Sequence, residues 1–574
     1  MLVLPSHSSI RRLLALCGLL GLLVLLPGCA DLATLFVRPV DEGPPSRFVP
    51  PPPEPTYPPA MSTAARILER GEMVVGVRYD LEPFSYVTAD STLAGLEVDL
   101  ARELARRWLG SPDAVRFSQV RSDTAFQYLE AGTVDVVLAG LLHTQDAEIY
   151  ADFSPPYFSD GMAILTYPEG AIQSLPDLAD RRVGTLAWTD SQAQLAASVT
   201  ISPTYVSYAH YFDVLEALRT REIDAYVDQR HRLERARRHV PNTVIVGQWT
   251  REPFAMIYRQ DDPFFANLVR LTFQDMAVDG TRDALYDRWL PGTSPPSIVF
   301  TPGAAPTPPL SSTPAQLSTL DVVGRIRDRG TVSVGYFRDR WPYSADRADG
   351  TPTGFEVRLL ERMAELWLGS SAAVTFVPVT DEADALQRLD RGEVDLLLGN
   401  WVHTREAELR VDFSIPIIQD GVSILSLAAA AVNALPELAG RSVAVVVGSA
   451  AEAAAPELAQ GVGLSALGYP DFDSALAALQ GGEVAAVLTE RRLALDLHFR
   501  EAGFAVPPGR YTQRPVAYVL PEGDSQFRDL VNLTLMALEE RGIYQELYEL
   551  WFDEPIPALN TLPGRPAIPL VITP

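Results

Sequence analysis

The side chains in this sequence that could carry chemistry exclude more than they offer. All 47 basic residues are arginine, so no lysine exists to form a Schiff base or to hold a phosphate in a P-loop. The His-Thr pairs His143-Thr144 and His403-Thr404 recur 260 positions apart and invite a metal or general-base reading. No other histidine falls at ligand spacing, and the two cysteines, Cys17 and Cys29, both lie near the N-terminus. The pairs therefore read as loop histidines satisfied by backbone, and no metal and no cofactor are expected. Noncovalent recognition remains. Runs at 183–186 and 443–447 read as strands followed by Trp188-Thr189-Asp190 and Gly448-Ser449-Ala450, which open helices whose backbone N–H groups could meet an oxyanion. Gly448-Ser449-Ala450 suits that role better.

The elements around these residues occur twice. Gly71, Gly76, Pro83, Ser85, Glu97, Trp108 and Gly110 return 259 positions later as Gly330, Gly335, Pro342, Ser344, Glu356, Trp367 and Gly369. A period this long is a domain duplication. In each copy short β-branched runs alternate with amphipathic helices, the pattern of an α/β domain with a largely parallel sheet. Val98, Ala101, Leu104, Ala105 and Trp108 fall on one helical face, as do Val357, Leu360, Met363, Ala364 and Trp367, so both stripes are expected in cores. The runs 134–139 and 394–399 read as buried strands, each ending where a loop with Gly140, or with Asn400 and Trp401, could approach a cleft.

With 73 acidic residues the net charge is −26, and no basic stripe offers a nucleic-acid surface. Arg11 and Arg12 precede an apolar run from Leu13 to Leu26, too short for an ordinary membrane span and read as a signal peptide over residues 1–28. Residues 29–61 are a proline-rich stalk, with seven prolines between Pro50 and Pro59. The expected domains are 62–291 and 318–553, separated by a Pro/Ser/Thr linker at 292–317 and followed by a proline-rich tail at 554–574.

The motifs, taken in order, resemble the bacterial extracellular solute-binding proteins of family 3. They are Glu82-Pro83-Phe84-Ser85 or Trp341-Pro342-Tyr343-Ser344, then Gly-x-Glu-Val, Gly-x-Val-Asp, Asp-Phe-Ser-x-Pro with Asp-Gly behind it, and a closing helix ending at Trp289 or Trp551. The resemblance covers nearly all of both repeats. It implies two tandem type II periplasmic-binding-protein-like domains, each of two lobes with a central mixed, mostly parallel sheet. Two crossing strands would join the lobes, with a small polar solute in the cleft between them. The implied function is cleft closure on a polar amino acid or related anionic solute, delivered to an ABC transporter permease, with no bond broken. A sensory or scaffolding module on this fold is one alternative, and a dehydratase-like enzyme another. The end of the leader, Leu26-Pro27-Gly28-Cys29, resembles a lipoprotein processing site. That implies an extracytoplasmic protein anchored to the membrane through lipidated Cys29.

Family members that bind amino acids grip the ligand carboxylate with an arginine, a bidentate contact. That position holds Ala147 and Ala407 here. By the same resemblance, Arg78, or Arg340 where an aromatic usually stacks, could grip an anion from a new direction. Gln229 and Glu490 match the acid that receives the ligand ammonium, and only Glu490 keeps its charge. Thr189 and Ser449 match the second-lobe anion cradle, Phe355 the residue that stacks on the ligand, and Trp401 could line the cleft beside Asn400. The two copies are expected to differ in ligand, with repeat two retaining the solute site.

Overall fold

In a computed structural model the described residues are 60–552, apart from 188, 190, 199–202, 300, 304, 313 and 315, together with Ile572. The leader, the stalk to residue 59, Cys29, Trp188 and Asp190 lie outside them.

The same sheet is built four times. In the first, strands run in the order Val115–Gln119, Met73–Val77, Val136–Leu138, Ile257–Tyr258, Asp152–Phe153. The neighbours of Met73–Val77 are parallel, and Ile257–Tyr258 is antiparallel to both strands beside it. The second orders Thr204–Tyr208, Arg182–Leu186, Ala225–Gln229, Met162–Thr166, Val244–Val246, again parallel on one side and antiparallel on the other. Both orders recur in repeat two, centred on Val332–Tyr336 and Ser442–Val446. Four of the five strands in each sheet run the same way and one runs against them, so the sheets are mixed and mostly parallel, as expected. In each first-lobe sheet, the one reversed strand, Ile257–Tyr258 or Val519–Leu520, is the strand that returns after the chain has built the second lobe.

Residues 160–252 form one compact unit, and 60–159 with 253–552 belong to a second. The chain passes between the units through the strands Phe158–Asp160 and Glu252–Phe254. In repeat two, Ile418–Asp420 pairs antiparallel with Arg514–Val516, Asp420 opposite Arg514. Those two strands are the waist that the resemblance implies.

Each first lobe packs a 14-residue helix, Leu96–Leu109 or Phe355–Leu368, against its sheet. The expected stripes are buried, with Trp108 only partly so and Trp367 completely. Each indole nitrogen donates to a threonine of the long C-terminal helix, Trp108 to Thr272 at 3.0 Å and Trp367 to Thr534 at 2.8 Å. Buried indoles need such partners. Both helices start at a glycine, Gly95 or Gly354, with φ near +132°. A Cβ there would lie 2.1 Å from the carbonyl oxygen of Phe84 or Tyr343, so no side chain fits.

The larger unit also joins the repeats. Arg528 donates to Asp152 at 2.6 Å, and both are buried. Ser525 Oγ donates to the same carboxylate at 3.1 Å. Reciprocally, Arg270 of repeat one pairs with buried Glu408 of repeat two, and Asn267 donates to the Glu408 carbonyl at 2.7 Å. The His-Thr histidines belong to this region. His143 stacks on Phe153 and pairs with Glu148 at 2.5 Å; His403 stacks on Phe413 and pairs with Glu408. Their side chains are thus held by glutamates rather than by backbone, and burial keeps His403 neutral, its pKa well below the ordinary value. The linker is docked as well: Leu310 is buried, Thr307 Oγ1 donates to Asp275 at 2.5 Å, and Arg405 donates to the Ala305 carbonyl at 2.7 Å. From the tail, Ile572 is buried and its N–H donates to the Trp367 carbonyl at 2.7 Å.

Removing one partner of a buried ion pair strands the other charge. R528A is expected to destabilise the full chain by about 3 kcal/mol, read as a lower urea midpoint. A change under about 0.5 kcal/mol, the range of ordinary surface substitutions, would show that the pair does not hold the repeats together.

Candidate functional site

A buried glutamate sets the floor of each first lobe. Glu97, at the start of its helix, accepts from Ser85 Oγ at 2.6 Å, from the Gly140 N–H at 2.7 Å and from the Tyr157 hydroxyl. Glu356 accepts from the backbone N–H groups of Gly399 and, at 2.8 Å, Asn400. The Gly-x-Glu-Val motif thus ties the helix start to the loop after the central strand, the loop that carries the expected cleft residues. Burial raises both carboxyls, Glu356 to about 7, against the backbone hydrogen bonds that favour the charged form.

In repeat two that loop opens on a cavity of about 590 Å³, lined from the first lobe by Arg340, Asn400, Trp401 and Arg410 and from the second by Glu490 and Arg492, with Arg514 from the crossing strand. Arg340 lies 3.4 Å above the Phe337 ring centroid and donates to the Gly399 carbonyl at 2.8 Å and to Glu382 at 3.1 Å. Trp401 packs against Phe337 with 7% of its surface exposed, and its Nε1 has no hydrogen-bond partner. Asn400 adopts φ +61°, and its buried Oδ1 is also unpartnered. Glu490 pairs with Arg514 at 3.5 Å. The structure therefore gathers four expected residues, Arg340, Asn400, Trp401 and Glu490, in one cavity, and adds Arg410, Arg492 and Arg514.

Two expected residues in this repeat sit elsewhere. Phe355 is fully buried, packed edge-on against Tyr548 and Phe552, and cannot stack on a ligand. Its spacing from Leu359 and Met363 puts it on the buried face, a signal present in the sequence. Ser449 is a helix N-cap that accepts from the Glu452 N–H at 3.2 Å, while Glu452 accepts from the Gly448 N–H at 2.7 Å. The expected anion cradle is filled by the chain's own carboxylate. Ser-x-x-Glu is the sequence mark of a helix start capped in this way, with the glutamate here reaching the N–H one residue before the cap.

In repeat one, Gly140 has φ +63°, and Arg78 donates to Asp80 at 3.0 Å and to Ser122 at 3.3 Å. Within the 160–252 unit, Gln229 Nε2 donates to Glu252 at 2.5 Å, and Thr189 Oγ1 to the Leu186 carbonyl at 3.0 Å and to Ser191 at 2.9 Å.

The family model "Bacterial extracellular solute-binding proteins, family 3" matches residues 73–292 and again 332–554. The chain belongs to this family. Like it, a glutamine-binding protein of Geobacillus stearothermophilus is 25% identical over 197 residues, 34% of this chain and 75% of that protein. The glutamate/aspartate import solute-binding protein of Escherichia coli is 27% identical over 250 residues, 42% of this chain and 83% of that one. Among solved structures, an ancestral cationic amino acid solute-binding protein is 28% identical and covers 40% of this chain and 100% of its own, at a TM-score of 0.35.

For this family 3 chain the buried Glu356 yields a pH test. With a folded pKa near 7, above the ordinary 4.5, the folded state holds the extra proton, so this group's stabilising contribution is full below about pH 4.5 and is lost as pH rises through 7. E356Q mimics the protonated form. Its urea midpoint should gain on the parent between pH 4.5 and 7.5, by up to about 3 kcal/mol. A difference that stays flat across that range would place the carboxyl outside this window.

Proposed function

We propose that the chain is a tandem extracytoplasmic receptor that captures a small polar, amino-acid-like or anionic solute by cleft closure and delivers it, chemically unchanged, to an ABC-type permease. The single observation that carries this reading is the cavity of repeat two. It is lined by both lobes and the crossing strand, and two of its lining residues, Asn400 and Trp401, carry buried polar atoms without partners. The relatives named as binding proteins for glutamine and for glutamate and aspartate support a solute of that size. Repeat two is the working site. The leader and Cys29 support a receptor held at the outer face of the membrane by a lipid anchor, beside its permease.

A ligand that binds only the folded state raises the unfolding temperature in proportion to ln(1 + [L]/Kd). The full chain should show a saturable rise with at least one amino acid or small carboxylic acid, and mass spectrometry should recover that compound intact. Consumption of the compound would make the protein an enzyme, and the absence of any shift across such a panel would remove the receptor reading. C29S should move the protein from the membrane fraction to the soluble extracytoplasmic fraction; retention in the membrane would exclude the lipid anchor.

A further inference from the structure

We infer that the cleft of repeat two takes a small dicarboxylate, gripped by arginines that the first repeat does not possess. This rests on the receptor reading and narrows it.

Four guanidinium groups line the cavity, against the carboxylates of Glu382, Glu406 and Glu490. Two of the four are neutralised in place, Arg340 by Glu382 and Arg514 by Glu490. Glu406 is exposed and accepts from the linker N–H of Ala305 at 2.9 Å. The guanidinium groups of Arg410 and Arg492 have no partner among the described residues. Arg492 also lies close enough to Arg340 for the two positive charges to repel. A cleft with two guanidinium groups that lack a protein partner, one from each lobe, matches a ligand with two acid groups, since each carboxylate can take a charge-assisted pair of hydrogen bonds. A single molecule held from both sides also favours the closed form.

The second observation is independent of charge. Trp401 Nε1 is a buried donor with no acceptor, a costly arrangement in a residue that lines the cavity. Asn400 Oδ1, buried and lacking a donor, suits a ligand hydroxyl or ammonium. The lost clamp at Ala407 has a substitute within reach, because Arg410 stands three residues further on and lines the same cavity. In repeat one the positions of Arg340, Arg410, Arg492 and Arg514 are Leu81, Tyr150, His231 and Glu252. None offers a permanently charged, bidentate fork for a second acid group.

The test is titration calorimetry on the full chain with succinate, glutarate, L-glutamate, L-glutamine, L-arginine and acetate. Succinate, glutarate or L-glutamate should bind at one site per chain. R410A and R492A should each weaken that binding about tenfold or more, as the loss of one charged hydrogen-bonded contact does. Arg410 is exposed, so circular dichroism of R410A should match the parent. E490Q separates the two kinds of dicarboxylate: it should weaken L-glutamate and spare succinate and glutarate if the amino group is read at Glu490. Binding of L-glutamine or L-arginine in this cleft as tight as that of any dicarboxylate, and insensitive to R410A and R492A, would overturn the dicarboxylate inference and leave the receptor reading intact. No heat with any of the six, alongside no thermal shift with the wider panel, would overturn both.

Discussion

Much of the site's geometry depends on one unusual placement: a carboxyl group buried at the foot of each first-lobe helix. Glu97 and Glu356 are fully enclosed, and enclosing a carboxyl is expensive unless its oxygens are hydrogen-bonded. The structure meets that demand with backbone N–H groups from the loop after the central strand, Gly140 in one repeat and Gly399 with Asn400 in the other. The loop cannot drift from the helix without stranding those groups. Gly95 and Gly354 make the contact possible, because the helix start approaches the neighbouring carbonyl too closely for any Cβ. A polar bond inside the lobe therefore fixes where the residues of that loop stand, and leaves their identity free to vary.

That freedom has been used. The sheet orders are identical in the two repeats, and the glutamate, glycine and tryptophan supports recur. The residues around the expected cleft positions do not. Repeat two gathers arginines and an unpaired indole donor, whereas Gln229 and Glu252 in repeat one satisfy each other. A side chain already committed to a neighbour has to break that bond before it can meet a solute. The scaffold has thus been kept within one chain while the residues at the expected cleft positions have diverged.

The scaffold was legible because it is written in spacing. The helical stripes ending at Trp108 and Trp367, the opening strands and the glycines at helix starts all report local geometry, and local geometry leaves periodic marks. The mostly parallel sheets were legible too, while the single reversed strand in each first lobe was harder to place, since it returns from another lobe. Asn400 and Trp401 could be placed because they follow the end of the central strand, and Arg340 and Glu490 because they match positions that the family resemblance implies. Arg410, Arg492 and Arg514 could not, because they meet only when three separate segments are folded together. Phe355 and Ser449 were misassigned although the sequence held the right marks, the i, i+4, i+8 run through Leu359 and Met363 and the Ser-x-x-Glu box. In both cases an internal role outweighed recognition. The histidine pairs recur for a structural reason too: each stacks on a phenylalanine and faces a glutamate five residues on.

The ion pairs linking the repeats, Arg528 with Asp152 and Arg270 with Glu408, would in separate subunits assemble only above some threshold of protein concentration. Here both halves are covalently continuous, so the effective concentration is set by the tether and not by abundance. A sparse population of molecules keeps its halves together as well as a dense one, and dilution outside the cell cannot dissociate them.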